Sequence, residues 1–443
     1  MLLQSKRWIG LSKGLPDQWW RSIFAGATVA GVVYLVCGVL GLWLSESGLA
    51  KILEPNAEAY QYWDAINYVR LGFTYSCQEF YPLWPHVLGT LTHRVETGLQ
   101  MAMGLSTLLF FSSLPLTYWV FRRLISKPGL ALLAFLLYVL NPNSVFHANG
   151  YTEGGFSVMA VLALAVLVMP GSVWGNGLLL GMACLMSLMR PSLFQLVGAA
   201  IGAWVCVHLA SRALSYPLRQ RHDAATGLLV TGAIAGYAVY GTYCLNTVNN
   251  FLGPFQAQVE WGRRLGFRPL FLLLPRSLLN DLHGLYFPFV LFGLVLVLFC
   301  FRLFRRPLLA HVPTHPLSWI TLFYPPLAGI VYSVQSWRRL RSQRLPTWTV
   351  PPAIDALVTS YPFWFCLLVC MANATIGFLA ASGSLYSLAR FVFAPPFFFI
   401  ALGMVANALD GPKMRQFLLG GLFLSVVGLI DQWYKWGNGS WIG

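Results

Sequence analysis

Two carboxylates in one polar stretch are the first groups in this chain that could do chemistry. The stretch runs from Glu54 to His86, EPNAEAYQYWDAINYVRLGFTYSCQEFYPLWPH, and holds Glu54, Glu58, Asp64 and Glu79, four of the 14 acidic residues. Asp64 stands in a Trp-Asp-Ala triplet, and Glu79 opens an aromatic and proline run, Phe80-Tyr81-Pro82-Leu83-Trp84-Pro85. A carboxylate in a wet pocket can take the proton from an attacking hydroxyl, which is worth roughly 10²–10⁴-fold. Asp64 is the candidate base and Glu79 the second candidate acid. Trp63 and Tyr68 could wall the pocket and stack on the apolar face of a sugar. The competing reading of Asp64 is a helix cap, a role Asp fills well. For the run after Glu79 it is an interfacial anchor.

A second group surrounds Glu153. Tyr151-Thr152-Glu153 leads into an apolar run, where an ionisable side chain is expensive and usually paired or functional. A helix N-terminal acid, stabilised by about 0.3–1 kcal/mol, is the alternative. His147, alone in this link, reads as structural or interfacial. Arg190 and Arg390 sit at span ends, and Arg263 and Arg264 lie beside Trp261. Guanidinium binds phosphate bidentately, so these four arginines could cradle a lipid-linked phosphate, with Trp261 in the same pocket. Interaction with lipid headgroups explains them without a ligand.

The elements that must position these residues are membrane helices. The chain has 443 residues, 57% hydrophobic and 10% charged, with eight cysteines and a formal charge of +15. Soluble domains carry roughly 25% charged residues, and apolar runs recur from end to end. Composition therefore predicts one integrated all-α membrane domain over residues 1–443. On such a protein positive charge marks inner loops, not nucleic-acid binding. Seven cysteines, Cys37, Cys184, Cys206, Cys244, Cys300, Cys366 and Cys370, fall in apolar runs and read as small packing residues. Cys77 is the one cysteine of the outer loop and is expected to be an accessible thiol.

Basic residues before a first span near Ile23 to Leu44 put the N-terminus inside. The outer loops are then about 46–97, the catalytic candidate, and about 247–283, whose tail from Leu270 to Leu282 could be an interfacial helix. Spans are expected near Gly98–Phe121, from Pro128 to Asn141, to Met169, to Arg190, to Arg212, Thr226–Leu245, Gly284–Phe301, Ala353–Ala380, Phe391–Ala406 and Phe417–Ile430. Gly171 to Asn176 reads as an inner turn. Pro316 to Val334 is apolar but flanked by arginines and broken by Pro325-Pro326. Proline inside a helix costs about 3 kcal/mol, so this reads as a re-entrant or interfacial piece, leaving eleven crossings. On that assignment 19 of the 29 Lys/Arg lie inside, and the outer arginines call for a reason. No Walker, Rossmann, HExxH or nucleophile-elbow pattern occurs. No metal-ligand set or cofactor is expected.

Several stretches resemble the PIG-V mannosyltransferase family. WDAINYVRLGF with EFYPLWP resembles its Trp-Asp-Ala and Phe-Phe-Pro-Leu-x-Pro pattern. NPNSVFHANGYTEGGFSVMAVLAL resembles its Asn-Pro-x-x-x-Phe…Tyr-Ser/Thr-Glu segment, and SLMRPSLFQL its Ser-x-x-Arg segment. QVEWGRRL is similar to a stretch in prokaryotic members, and SLARFVFAPPFFFIAL to the C-terminal Arg-Phe/Tyr segment. The motifs occur in family order over residues 63–402. Glu79 stands where the family has a small residue, and Pro191 where it has a polar one.

The resemblance implies a GT-C-type helix bundle and an inverting glycosyltransferase. Such enzymes move a sugar from a polyprenyl-phosphate carrier, such as polyprenyl or dolichyl phosphate mannose, to a lipid or glycan acceptor at the outer or luminal face. The eukaryotic members add the second mannose of the GPI anchor. The family's loop aspartate maps to Asp64, and its Tyr-x-Glu to Tyr151 and Glu153. QVEWGRRL favours a prokaryotic plasma membrane over the endoplasmic reticulum. The partners expected are membrane lipids, donor and acceptor. The rival reading is a lipid-carrier transporter or flippase that binds the phosphate without transfer.

Overall fold

The computed structural model describes residues 17–46, 62–76, 80–217, 220–260, 264–274, 281–304, 308–309, 327, 330, 331, 333, 334, 347–348, 350–380, 383, 385, 387–440 and 442. In lipid every backbone N–H and C=O must find a partner within the protein, which favours helices. The described chain meets this with α1 (Asp17–Leu44), α2 (Trp63–Phe73), α3 (Leu83–Leu91), α4 (Val95–Leu124) and α5 (Pro128–Leu140). A 3-10 helix, Pro142–His147, follows. Then come α6 (Glu153–Val168), α7 (Val173–Met189), α8 (Leu193–Ala213), α9 (Gln220–Val248), α10 (Gly253–Glu260) and α11 (Leu270–Leu273). After α12 (Leu282–Leu303), Leu308–Leu309 pairs antiparallel with Thr347–Trp348. The rest is α13 (Ala353–Val358), α14 (Tyr361–Ala380), α15 (Leu388–Phe393), α16 (Phe397–Leu409) and α17 (Pro412–Gly437).

Seven of these, α1, α4, α8, α9, α12, α14 and α17, are long and apolar enough to cross a membrane, and α5, α6, α7 and α16 are shorter apolar helices. The chain is a polytopic, all-α integral membrane protein. Its outer surface fits: Val36 is 58% and Trp43 76% exposed on the apolar flank of α1, a face suited to lipid. One apolar core runs from Ile23 to Trp436.

Polar contacts tie the helix ends together. The Arg123 guanidinium lies over the rings of Trp19 and Trp119, joining the start of α1 to the end of α4. Lys127 pairs with Asp410, joining the α4–α5 turn to the α16–α17 turn. Arg302 donates twice to Asp355, each at 2.9 Å. At the other end Trp84 Nε1 donates to Gly150 O at 3.0 Å, and Glu46 N to Asn438 Oδ1 at 3.0 Å.

Four expectations are corrected. The span expected over Ala353–Ala380 breaks at Thr359-Ser360 into α13 and α14; Asp355, drawn to Arg302, holds the short piece in place. The span expected over Phe391–Ala406 is split by Ala394-Pro395-Pro396, because two consecutive prolines lack the N–H groups a continuous helix needs. Ser172 N-caps α7, accepting from Gly175 N at 2.9 Å, so the inner turn ends before Asn176. The helix expected over Leu270–Leu282 ends at Leu273, with Leu274 extended; residues 275–280 lie outside the described residues. Most of the 316–334 segment also lies outside them.

Candidate functional site

Three links bring the site together. The first is the pair α2–α3, which lies between α1 and α4 in the chain. Gly72 and Gly89 let the two backbones touch: a Cβ on Gly89 would sit 2.1 Å from Gly72 O. Tyr62, not Asp64, is the N-cap of α2; Asp64 is in its first turn. The capping reading of Asp64 is thereby replaced by an ion pair, described below.

The second link is the segment before α6. Ser106 of α4 donates to His147 O at 2.8 Å and lies 3.2 Å from Tyr151 O. Gly154 passes so close that a Cβ there would lie 2.5 Å from Ser106 O. These contacts fix Tyr151 and Glu153, both fully buried. His147 stacks on Phe110 at 4.1 Å, and its Nε2 lies 3.0 Å from Ala394 O. It is a structural tie between this segment and the proline break after α15.

The third link is α15 itself. Arg390 sits within this helix and is buried, instead of standing at a span entrance. Its Nη1 donates to Asp64 Oδ2 at 2.7 Å, and its Nε donates to Glu153 Oε1. Arg190, the C-cap of α7, places Nη1 3.2 Å from the same Glu153 oxygen. The result is a chain of alternating charge, Asp64–Arg390–Glu153–Arg190. Side-chain exposure falls along it: 22% for Asp64, 4% for Arg390 and 0% for Glu153, with Arg190 at 8%. Removing charges from water is expensive, and mutual pairing offsets it.

Aromatic faces complete the cage. The Arg390 guanidinium lies 4.4 Å from the Tyr151 ring and 4.9 Å from that of Phe146. Arg190 lies 4.7 Å from Phe391 and 5.4 Å from Phe156. Phe146 and Phe391 are the aromatic positions of the Asn-Pro-x-x-x-Phe and Arg-Phe/Tyr stretches; Phe156 was not singled out in the sequence. Glu153 Oε2, Arg190 Nη2 and Tyr151 Oη have no hydrogen-bond partner among the described residues. Buried polar atoms usually have one, so this pocket suits water or a polar substrate group.

The remaining candidates divide. Tyr68 is buried, its ring 5.0 Å from Phe80. Arg264 is exposed, in the stretch whose Gly266 N donates to Leu379 O at 2.9 Å, at the end of α14. Glu79, Arg263, Trp261 and the side chain of Trp63 lie outside the described residues. Among the described residues no three His, Cys, Asp or Glu form a group that could hold a metal ion.

Beside the site, Asp281 N-caps α12 with φ 63°. It abuts α15: a Cβ on Gly284 would lie 2.8 Å from Ala389 N. Burial pushes the Asp281 carboxyl up to about 6, while the backbone N–H groups of Ala389 and Leu388 oppose that shift.

Compared with known protein families and with curated proteins, the chain matches none.

Proposed function

We propose that this protein is a polyprenyl-phosphate-sugar-dependent, inverting glycosyltransferase, mannosyltransferase-like, working at the outer or luminal face of its membrane. The observation that carries this reading is the charge chain, in which Asp64 alone keeps appreciable contact with solvent. Arg390 holds one carboxylate oxygen and leaves the other to accept a proton.

In the step envisaged, an acceptor hydroxyl oxygen attacks the anomeric carbon and its proton passes to Asp64. The bond from that carbon to the phosphate oxygen breaks, and the electron pair leaves with the phosphate. Neutralising Asp64 uncovers the charge of Arg390 as the phosphate gains its own. A preorganised cation at that moment stabilises the transition state. The buried pair Arg390 and Arg190 braces the base, and exposed Arg264 is the candidate to meet the lipid phosphate first. Tyr151, Glu153 and Tyr68 line the pocket; Trp63, Trp261, Arg263 and Glu79 are assigned to it from their residue types and places in the sequence alone.

The proposed GT-C-type bundle has eleven crossings, in keeping with seven long and four shorter apolar helices. A prokaryotic plasma membrane is the proposed location, and the PIG-V resemblance remains the basis for mannose. Purified protein given polyprenyl-phosphate mannose and candidate acceptors should release polyprenyl phosphate and form a glycoside. Binding of the lipid with flipping across vesicles, but no cleavage of the sugar–phosphate bond, would instead favour the transporter reading.

A further inference from the structure

The chain has eight cysteines. Cys37, Cys184, Cys206, Cys300, Cys366 and Cys370 are free thiols, whereas Cys244 is disulfide-bonded. That overturns its reading as a packing thiol, and elimination leaves Cys77 as the partner within this single chain. Residues 77–79 lie outside the described residues, but the described residues flanking them converge on Cys244's part of α9. Tyr243 Oη donates to Tyr75 O at 2.9 Å, and the two rings lie 5.6 Å apart. Tyr240 stacks edge-on against Tyr81 at 4.9 Å, and its hydroxyl reaches Phe80 O at 3.5 Å. Tyr75 Oη closes the neck, donating to Phe80 O at 2.7 Å. Cys77 is two residues from Tyr75, a reach of about 7 Å of chain, and Cys244 is the next residue after Tyr243.

We propose that Cys77 and Cys244 form a disulfide that clamps the loop carrying Asp64 onto α9. Two thiols lose two protons and two electrons as the S–S bond forms, and the electrons reduce a disulfide-bearing oxidant to its dithiol. Such bonds persist in outer and luminal compartments and are rare in the cytosol, which agrees with an outer location for both residues. The bond stops the segment after α2 from swinging away from the bundle, and so limits how far Asp64 can move from Arg390. None of this depends on the transfer reaction.

Full-length protein in native membranes tests it. Denature with N-ethylmaleimide, reduce, label with heavy maleimide, and map peptides by mass spectrometry. The heavy label should appear on Cys77 and Cys244 alone, and Cys77→Ser should move Cys244 to the light label. Light label on wild-type Cys77, or Cys244 linked to another cysteine, overturns the assignment. For the clamp, reduction should speed cleavage of the 46–97 loop by protease added outside several-fold. Unchanged cleavage with the bond shown to be reduced removes that role. If the serine variant fails to fold, the wild-type map still decides.

Discussion

Arg390 Nη1 donates to Asp64 Oδ2 at 2.7 Å, joining residues 326 positions apart. The α2 segment and the penultimate apolar segment therefore share one ion pair, and the one charge of the four that keeps appreciable contact with solvent is fixed from below.

Asp64→Asn separates base from cap. Asn caps nearly as well as Asp and still accepts from Arg390, but it cannot take a proton at neutral pH. The variant should fold, insert and bind donor, yet turn over roughly 10²–10⁴-fold more slowly. Turnover near wild type with saturating donor would remove Asp64 from the chemistry.

Glu153→Gln tests the brace. Glu153 Oε1 receives both Arg390 and Arg190, so its loss leaves two buried guanidiniums with Asp64 as their only acid. Breaking such a pair costs about 3–5 kcal/mol, seen as a large drop in thermal midpoint in detergent. A midpoint within a degree of wild type would contradict the buried network.

Arg390→Lys keeps charge but loses the planar fork that bridges two carboxylates. Turnover should fall even where the thermal midpoint changes little, and Arg390→Ala should be worse on both measures. Equal kinetics for the lysine variant would mean that the second hydrogen bond has no part in placing Asp64.

Asp281 predicts a pH effect with a definite sign. Its carboxyl is raised to about 6 from 3.8, so between these values the folded state binds more proton than the unfolded. Stability contributed by this group therefore rises as pH falls from about 6 towards 4 and is lost as pH rises. Asp281→Asn, which tolerates φ > 0, should flatten that slope and stabilise the protein at pH 7.5. Parallel melts at pH 4.5 and 7.5 that leave the slope unchanged would exclude Asp281 as its source.

Sidedness can be read with an impermeant maleimide. Glu96 and Lys413 are both exposed, in the first turns of α4 and α17. Glu96→Cys should label in intact cells, and Lys413→Cys only after permeabilisation. The reverse pattern would invert the assignment and put the site on the inner face.

Local residue chemistry determined much of this protein. The absence of charge over long apolar runs forces helices, because lipid offers the backbone no partner. Polar breaks and arginine clusters then mark the helix ends. Glu153 stood out because an ionisable group at the start of an apolar run needs a partner, Asp64 as a carboxylate in a polar loop, and Arg190 and Arg390 as guanidiniums at span ends. Which partners they have was a matter of tertiary structure. Nothing near Arg390 in the sequence points to Asp64, and the pairing exists because Gly154 and Ser106 bring α6 against α4 while Pro395-Pro396 turns α15 inward. Burial of the arginines was equally hidden, since a guanidinium at a span end reads as exposed until an acid from another helix reaches it. Asp64 read equally well as a cap, a local role; Arg390 alone converted it into the exposed end of a buried charge chain.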